Sequence, residues 1–166
     1  MADRDGSLGK YIFVALSAAL LGCLDSGEPV PPTISIQELL AAPDTVVVEG
    51  RTLTLSTSIW RDFMPISPPD GKPLIAAAYI DAVDTTRLPS SITSDAIWIA
   101  YDGQVWNSHF TNETPPQQRP NRLEKIARNG PKWGPGVYVD VVVRVFDGRG
   151  IAVLLGASHQ CIGRTD

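Results

Sequence analysis

Apolar and polar residues alternate with a period of two along much of the chain. Leu53, Leu55 and Ile59 alternate with threonines and serines, which puts an apolar face toward a core and a hydroxyl-rich face toward solvent. Alternate positions of residues 137–146 are valines, so this segment is predicted as a second strand with one apolar face. Residues 74–82 are apolar enough for a central strand. The pattern predicts a mainly β protein.

Turn residues separate these runs. Asp102-Gly103 lies between two alternating segments and predicts a hairpin. Residues 147–150 turn the chain back, so that a last strand beginning near Ile151 pairs with the valine strand. Four prolines in residues 63–73 predict a stiff loop. Residues 35–38, Ser-Ile-Gln-Glu, have the form of a capping box and predict a single helical turn.

About seven strands at spacings of roughly 10–15 residues favour an antiparallel β-sandwich. The terminal pair of a valine strand, an Asp-Gly turn and a leucine strand resembles the last hairpin of an immunoglobulin-like sandwich, which implies that architecture for the whole domain. A small Greek-key β-barrel is the alternative. Residues 123–127 fit either a short strand or one helical turn.

The N-terminal segment has a different pattern. Residues 11–22 form a run of twelve mostly apolar residues, which is shorter than the roughly 20 needed to span a bilayer and fits the hydrophobic region of a secretory signal. The run ends in Leu20, Leu21, Gly22 and Cys23. These four residues resemble the lipobox of bacterial lipoproteins. The resemblance implies cleavage before Cys23, a diacylglyceryl thioether on its sulfur and acylation of the new amino terminus.

This resemblance divides the chain into three parts. Residues 1–22 are the signal peptide, residues 23–32 a polar, proline-bearing tether, and residues 33–166 a single β domain. Under the family's sorting rule, Leu24 after the lipidated cysteine is compatible with the outer membrane of a Gram-negative cell. The implied location is therefore the bacterial cell envelope.

The net charge and the two cysteines limit which partners and which disulfides are expected. The net charge is −4, so no basic surplus is present to neutralise a phosphate backbone, and nucleic acid is not expected as a partner. With lipid on Cys23, Cys161 has no intramolecular disulfide partner. It is expected to be a small buried strand residue, with a free thiol or an intermolecular disulfide as the alternative.

Catalytic and metal-binding patterns are not found in the sequence. His109 and His159 have no further ligand at the spacing of a zinc site, and there is neither a G-x-S-x-G elbow nor a phosphate-binding loop. The sequence therefore predicts no cofactor, no metal and no catalytic residues. Two alternatives stay open, namely a hydrolase that uses Asp62 or His109 and a metal-handling protein in which Met64 is one ligand.

The candidate binding surface lies in two loops. Trp60, Arg61 and Asp62 end a predicted strand, and Trp133 lies among glycines and prolines. Aromatic residues and arginine are enriched at interface hot spots. The structural alternative is that Trp60 closes the core, Arg61 and Asp62 pair or cap turns, and Trp133 covers the sheet beneath its loop.

Together these features predict a non-enzymatic lipoprotein of the cell envelope. Lipid on Cys23 would hold it at the membrane, and the β domain would act as a binding or structural module. An envelope protein or a small ligand is the expected partner. Beyond the lipobox and the terminal hairpin, the sequence resembles no family of known activity.

Overall fold

A computed structural model describes residues 33–114 and 119–166. It is mainly β, with one short helix. The elements in chain order are α1 Ile36–Leu40, β1 Thr45–Val48, β2 Arg51–Asp62, β3 Leu74–Ala82, β4 Thr93–Tyr101, β5 Gln104–His109, β6 Arg122–Gly130, β7 Tyr138–Phe146 and β8 Ala152–Thr165.

Seven of the strands form one curled, mixed sheet in the order β5-β4-β7-β8-β2-β3-β6, which makes a half-barrel. All ladders are antiparallel except β2 with β8, which is parallel. The short strand β1 pairs with the first residues of β2. One hydrogen-bonded path therefore runs through the sheet.

The strand β8 joins the two halves of this sheet. Residues 152–161 pair with β7, whereas Ile162 to Thr165 pair with the end of β2. The ladder to β7 is irregular between Val139 and Val141, where His159 has a φ of 57° and donates its amide N–H to Asp140 Oδ1 at 3.0 Å. After this bulge, β8 pairs with β7 for two more residues and then with β2, so the halves are continuous. The expected immunoglobulin-like sandwich is not confirmed.

The core lies on the concave side of the sheet, where the predicted apolar faces meet. Leu53 is fully buried, with Leu55 and Ile59 beside it. The valine face of β7 is confirmed, since the alternate valines from 139 to 145 are at most 3% exposed. The strand predicted at residues 74–82 is β3, which is nearly continuously buried.

The helix α1 covers part of the convex side. Ser35 is its N-cap and accepts a hydrogen bond from the amide of Glu38 at 3.2 Å, as the capping box predicts. Leu39 packs against Trp98 and Val142, which form a second apolar cluster with Ala96. One helical turn thus buries the apolar residues that β4 and β7 present away from the main core.

Of three local features considered in the sequence, one prediction is confirmed, one open alternative is a strand, and one prediction is wrong. The Asp102-Gly103 hairpin is confirmed: both residues have positive φ and connect β4 to β5, as a two-residue turn of type I′ requires. Residues 123–127 lie in a strand, β6. The expectation that Cys161 is buried is wrong, because it is exposed on β8 next to the bulge.

The two edge strands of the half-barrel approach each other at one point. The amide of Thr111, just after β5, donates to the carbonyl of Ile126 on β6 at 2.8 Å. Beside it, the guanidinium of Arg128 makes two hydrogen bonds to the carboxylate of Glu113, of 2.6 and 2.7 Å. We call these four residues the seam.

Acid should weaken the seam. The hydrogen bonds from Arg128 lower the pKa of Glu113 to about 2. Because the folded pKa lies below that of the unfolded chain, the contribution of Glu113 to stability is present above about pH 4.5 and is lost as pH falls through about 2. An NMR titration of the Glu113 carboxyl should give a midpoint near 2, and Arg128→Gln should raise it toward the value of a free glutamate.

The matched control for this prediction is Arg51→Gln, which removes a surface ion pair with Asp84 on a different part of the sheet. That variant should change neither the titration midpoint of Glu113 nor the rate of hydrogen exchange of the Thr111 amide. A Glu113 midpoint near 4 in the wild-type protein would contradict the seam as described.

Candidate functional site

The strand directions place the predicted binding residues at one end of the sheet. Asp62 ends β2 level with Thr165 at the end of β8, and Leu74 begins β3 opposite Gly130 at the end of β6. Trp133 follows directly, and its ring lies 5.5 Å from that of Tyr101 at the end of β4. We call this the β2 end of the sheet. The structure thus brings Trp60, Arg61, Asp62 and Trp133 to the same end.

Arg61 is buried rather than displayed. It is 3% exposed, and its guanidinium donates to the carbonyls of Lys72 at 3.0 Å, Lys132 at 3.1 Å and Gly134 at 2.8 Å. A fourth hydrogen bond goes to the carbonyl of Asp70. These acceptors belong to the loops that follow β2 and β6. Arg61 therefore fixes both loops to the end of the sheet.

Asp62 fixes the first of these loops from its other side. Its carboxylate accepts a hydrogen bond from the Lys72 ammonium at 2.7 Å and one from the Met64 amide at 2.9 Å. These contacts, that of Lys72 first, hold the pKa of Asp62 below its usual value. Asp70, further along the same loop, forms an ion pair with Lys132 of the loop after β6. This contact likewise lowers the pKa of Asp70.

The two tryptophans have separate environments. Trp60 lies on β2 between the buried Ile59 and Arg61, so its side chain is on the convex side, where it is partly exposed. Trp133 is partly buried and packs on the main core. For Arg61, Asp62 and Trp133 the contacts match the structural alternative.

An apolar tip remains exposed on the loop held by Arg61. Ile66 is 90% exposed and Met64 49% exposed. Phe63 stays at the base of the loop, where its ring lies over Gly71 and next to the guanidinium of Arg164, at 4.0 Å. The tip is therefore an exposed apolar surface at this end that a partner can reach.

Asp62 and His109, the two residues considered for a hydrolase, lie apart in the structure. His109 ends β5 opposite Ala96 near the start of β4, which is the opposite end of the sheet from Asp62. Its Nδ1 lies 3.1 Å from the carbonyl of Asp95. His159 stacks on Tyr138, with ring centroids 4.1 Å apart. Within residues 33–114 and 119–166, no group of three His, Cys, Asp or Glu residues could hold a metal ion.

The opposite end of the sheet contains a cavity that the sequence analysis did not anticipate. It has a volume of about 560 Å³ and lies between the β3–β4 connection and the start of β6. Its apolar lining consists of Leu88, Pro89, Ile92, Pro120 and Leu123. The amide of Leu88 donates to the carbonyl of Pro120 at 2.8 Å, so the two segments are tied together. This volume falls in the range of small-molecule sites, roughly 300–1,000 Å³.

Charged side chains also line this cavity. They are Arg87, Arg119, Arg122 and Glu124. Arg122 is engaged by Asp81 through two hydrogen bonds of 2.7 and 2.8 Å. Burial, and to a lesser degree the charge of Glu124, raises the pKa of the neighbouring Tyr79. Three arginines, one glutamate and several apolar side chains thus line the same concave site. Arg87 lies more than thirty residues before Arg119 and Arg122 in the sequence, so no local motif predicts the site.

Removal of Arg61 should destabilise the fold and loosen both loops. Hydrogen bonds that involve a charged group contribute about 1.5–3 kcal/mol each, so Arg61→Met should lower the free energy of unfolding by at least about 3 kcal/mol. Arg164→Met, which removes an exposed guanidinium at the same end, is the matched control and should have a much smaller effect. Urea unfolding and hydrogen exchange of residues 63–73 and 131–136 measure both. Equal losses in the two variants would contradict the role of Arg61.

Cys23, which the resemblance to the lipobox predicts to be lipidated, lies outside the described residues, as do the predicted signal peptide and tether. In the part of the chain that the structure covers, no helix is long and apolar enough to cross a membrane. Comparison with known proteins finds no matching family model, no matching curated protein and no matching solved structure.

Proposed function

We propose that this protein is a non-enzymatic lipoprotein of the bacterial cell envelope whose β domain binds a small ligand. The observation that supports the binding role is the cavity of about 560 Å³ at the β6 start, where apolar side chains and arginines face one space. The support for the anchor is the lipobox at residues 20–23.

The tether sets how far the domain stands from the membrane. Residues 23–32 reach at most about 35 Å when fully extended. A lipid on Cys23 would therefore keep the start of the β domain within about 35 Å of the bilayer surface, among the molecules of the envelope. The membrane, through this lipid, and the ligand are the partners in this proposal.

A second candidate is docking of an envelope protein at the β2 end. The observation that favours it is Ile66, which is 90% exposed on a loop whose base is held by Arg61 and Asp62. A fixed loop loses little conformational entropy on binding. In this version Trp60, which is partly exposed at the same end, adds aromatic surface.

For the fold, we propose a small β-barrel, on the basis of the strand pairing. The continuous path of strands supports the small barrel rather than the immunoglobulin-like sandwich, because the halves are joined by hydrogen bonds through β8 and the edges meet at the seam.

The anchor is tested by the intact mass of the protein extracted from membranes of a bacterial host. We expect the loss of residues 1–22 and the added mass of lipid. Cys23→Ala should abolish both, because the thiol is the group that accepts the lipid, whereas Cys161→Ala should change neither. An unprocessed wild-type chain, or a cleaved chain without lipid, would overturn the lipoprotein proposal.

The binding role is tested by filling the cavity. Ser90 lines it and is exposed, so Ser90→Trp adds an indole without removing core atoms. Small molecules that copurify with the protein from the envelope should be depleted at least about tenfold in this variant, which corresponds to about 1.4 kcal/mol. Mass spectrometry of the extracts measures this.

Ser56→Trp is the control for this experiment, since Ser56 is exposed on β2, outside the cavity. It should retain the small molecules found with the wild-type protein. Identical extracts from the two tryptophan variants and the wild type would contradict a ligand in the cavity.

A further inference from the structure

The cavity has two sides of different character. Leu88, Ile92 and Leu123 contribute apolar side chains that pack toward the main core. Arg87 and Arg119 are exposed residues on its lining. A site with this division matches a molecule that is itself divided into a charged head and an apolar body.

The two exposed arginines lie on segments that are bonded to each other. Leu88, directly after Arg87, donates its amide to the carbonyl of Pro120, directly after Arg119. The carbonyl of Arg119 in turn accepts from the amide of Arg122 at 3.2 Å. These backbone bonds hold the origins of both arginine side chains at one rim of the cavity.

The positive charge at this rim is available. Arg122 is paired with Asp81 and lies over the ring of Tyr79, at 4.6 Å. Within residues 33–114 and 119–166, no hydrogen bond or ion pair joins the side chain of Arg87 or Arg119 to another residue, and both residues are exposed. A guanidinium binds a carboxylate through two parallel N–H···O bonds, so two of them at one rim suit a single anionic head.

Glu124 supplies the opposing charge. It pairs in register with Tyr79 on β3, next to Arg122 and away from the β3–β4 connection that carries Arg87. A negative head is repelled from Glu124 and attracted to the arginine rim. The charges therefore give the ligand one direction, with the head at the rim and the apolar part along Leu88 and Leu123.

The overall charge of the protein makes this rim distinctive. The chain carries a net charge of −4, which repels anions in general. A locally positive rim in such a protein favours anionic molecules at this cavity. The apolar lining then selects those that also have hydrocarbon to bury.

From this geometry we propose that the cavity binds a fatty-acid-like amphiphile, with its carboxylate at Arg87 and Arg119 and its hydrocarbon chain against Leu88, Ile92 and Leu123. This inference rests on the proposed small-ligand function and adds the chemical class of the ligand.

The test uses octanoate as the probe and the full chain purified in an uncharged detergent. Chemical-shift changes of the Leu88 and Leu123 methyl groups report binding at the cavity, and those of Leu155, buried on β8, serve as an internal reference. Octanoate should shift the two cavity leucines in a saturable way. Octyltrimethylammonium, which has the same chain and the opposite charge, should not.

The arginine variants test the position of the head. Arg87→Gln and Arg119→Gln should each weaken octanoate binding about tenfold, as expected for the loss of one charge-assisted contact, and the double variant more. Arg149→Gln removes an exposed guanidinium from the β7–β8 turn and should leave the affinity unchanged. Retention of wild-type affinity in the double variant would overturn the inference.

The remaining outcomes separate this inference from the proposed function. If octanol and octanoate bind equally, and Ser90→Trp blocks both, the ligand class is wrong while the cavity is still a binding site. If octanoate does not shift the cavity leucines, the inference is overturned. Identical extracts from wild type and Ser90→Trp would instead reject the ligand-binding function itself.

Discussion

The rest of the structure depends on the change of partner within β8. Its first part continues the ladder of β7, and its last residues lie parallel to the end of β2. His159, in a left-handed conformation, and its N–H···O hydrogen bond to Asp140 interrupt the ladder to β7 shortly before this change, which follows Cys161. An unpaired strand edge is a hazard for aggregation. The change of partner joins the two groups of strands in one curled sheet, and its two edge strands approach each other at the seam.

The parallel end of β2 then creates a position for a buried positive charge. The side chain of Arg61 points into the protein next to the β8 ladder. Its guanidinium donates four hydrogen bonds to carbonyl oxygens of two different loops. A buried charge is costly unless polar groups surround it, and here backbone dipoles supply them. The same contacts order both loops. Arginine is common at binding surfaces, but Arg61 lies beneath the surface and fixes the shape of the loops above it.

The two ends of the sheet are thus organised differently. At the β2 end the charged side chains satisfy one another, as in the pairs of Asp62 with Lys72 and of Asp70 with Lys132, and an apolar tip extends from them. At the other end Arg87 and Arg119 face a cavity. Charges that are already paired contribute rigidity, whereas charges at the rim of an apolar cavity supply recognition.

The sequence by itself determined the β class, the faces of β2 and β7, the capped turn of α1 and the Asp102-Gly103 hairpin, because each depends on residues that are neighbours along one strand or turn. Only the tertiary structure decided the partners of β8, the burial of Arg61 and the cavity. Parallel pairing and strand order leave no local periodicity, and the carbonyls around Arg61 lie in two later loops, one of which is about seventy residues away along the chain. Arg87 and Arg119 meet because backbone bonds join distant loops, a contact that no local sequence pattern encodes.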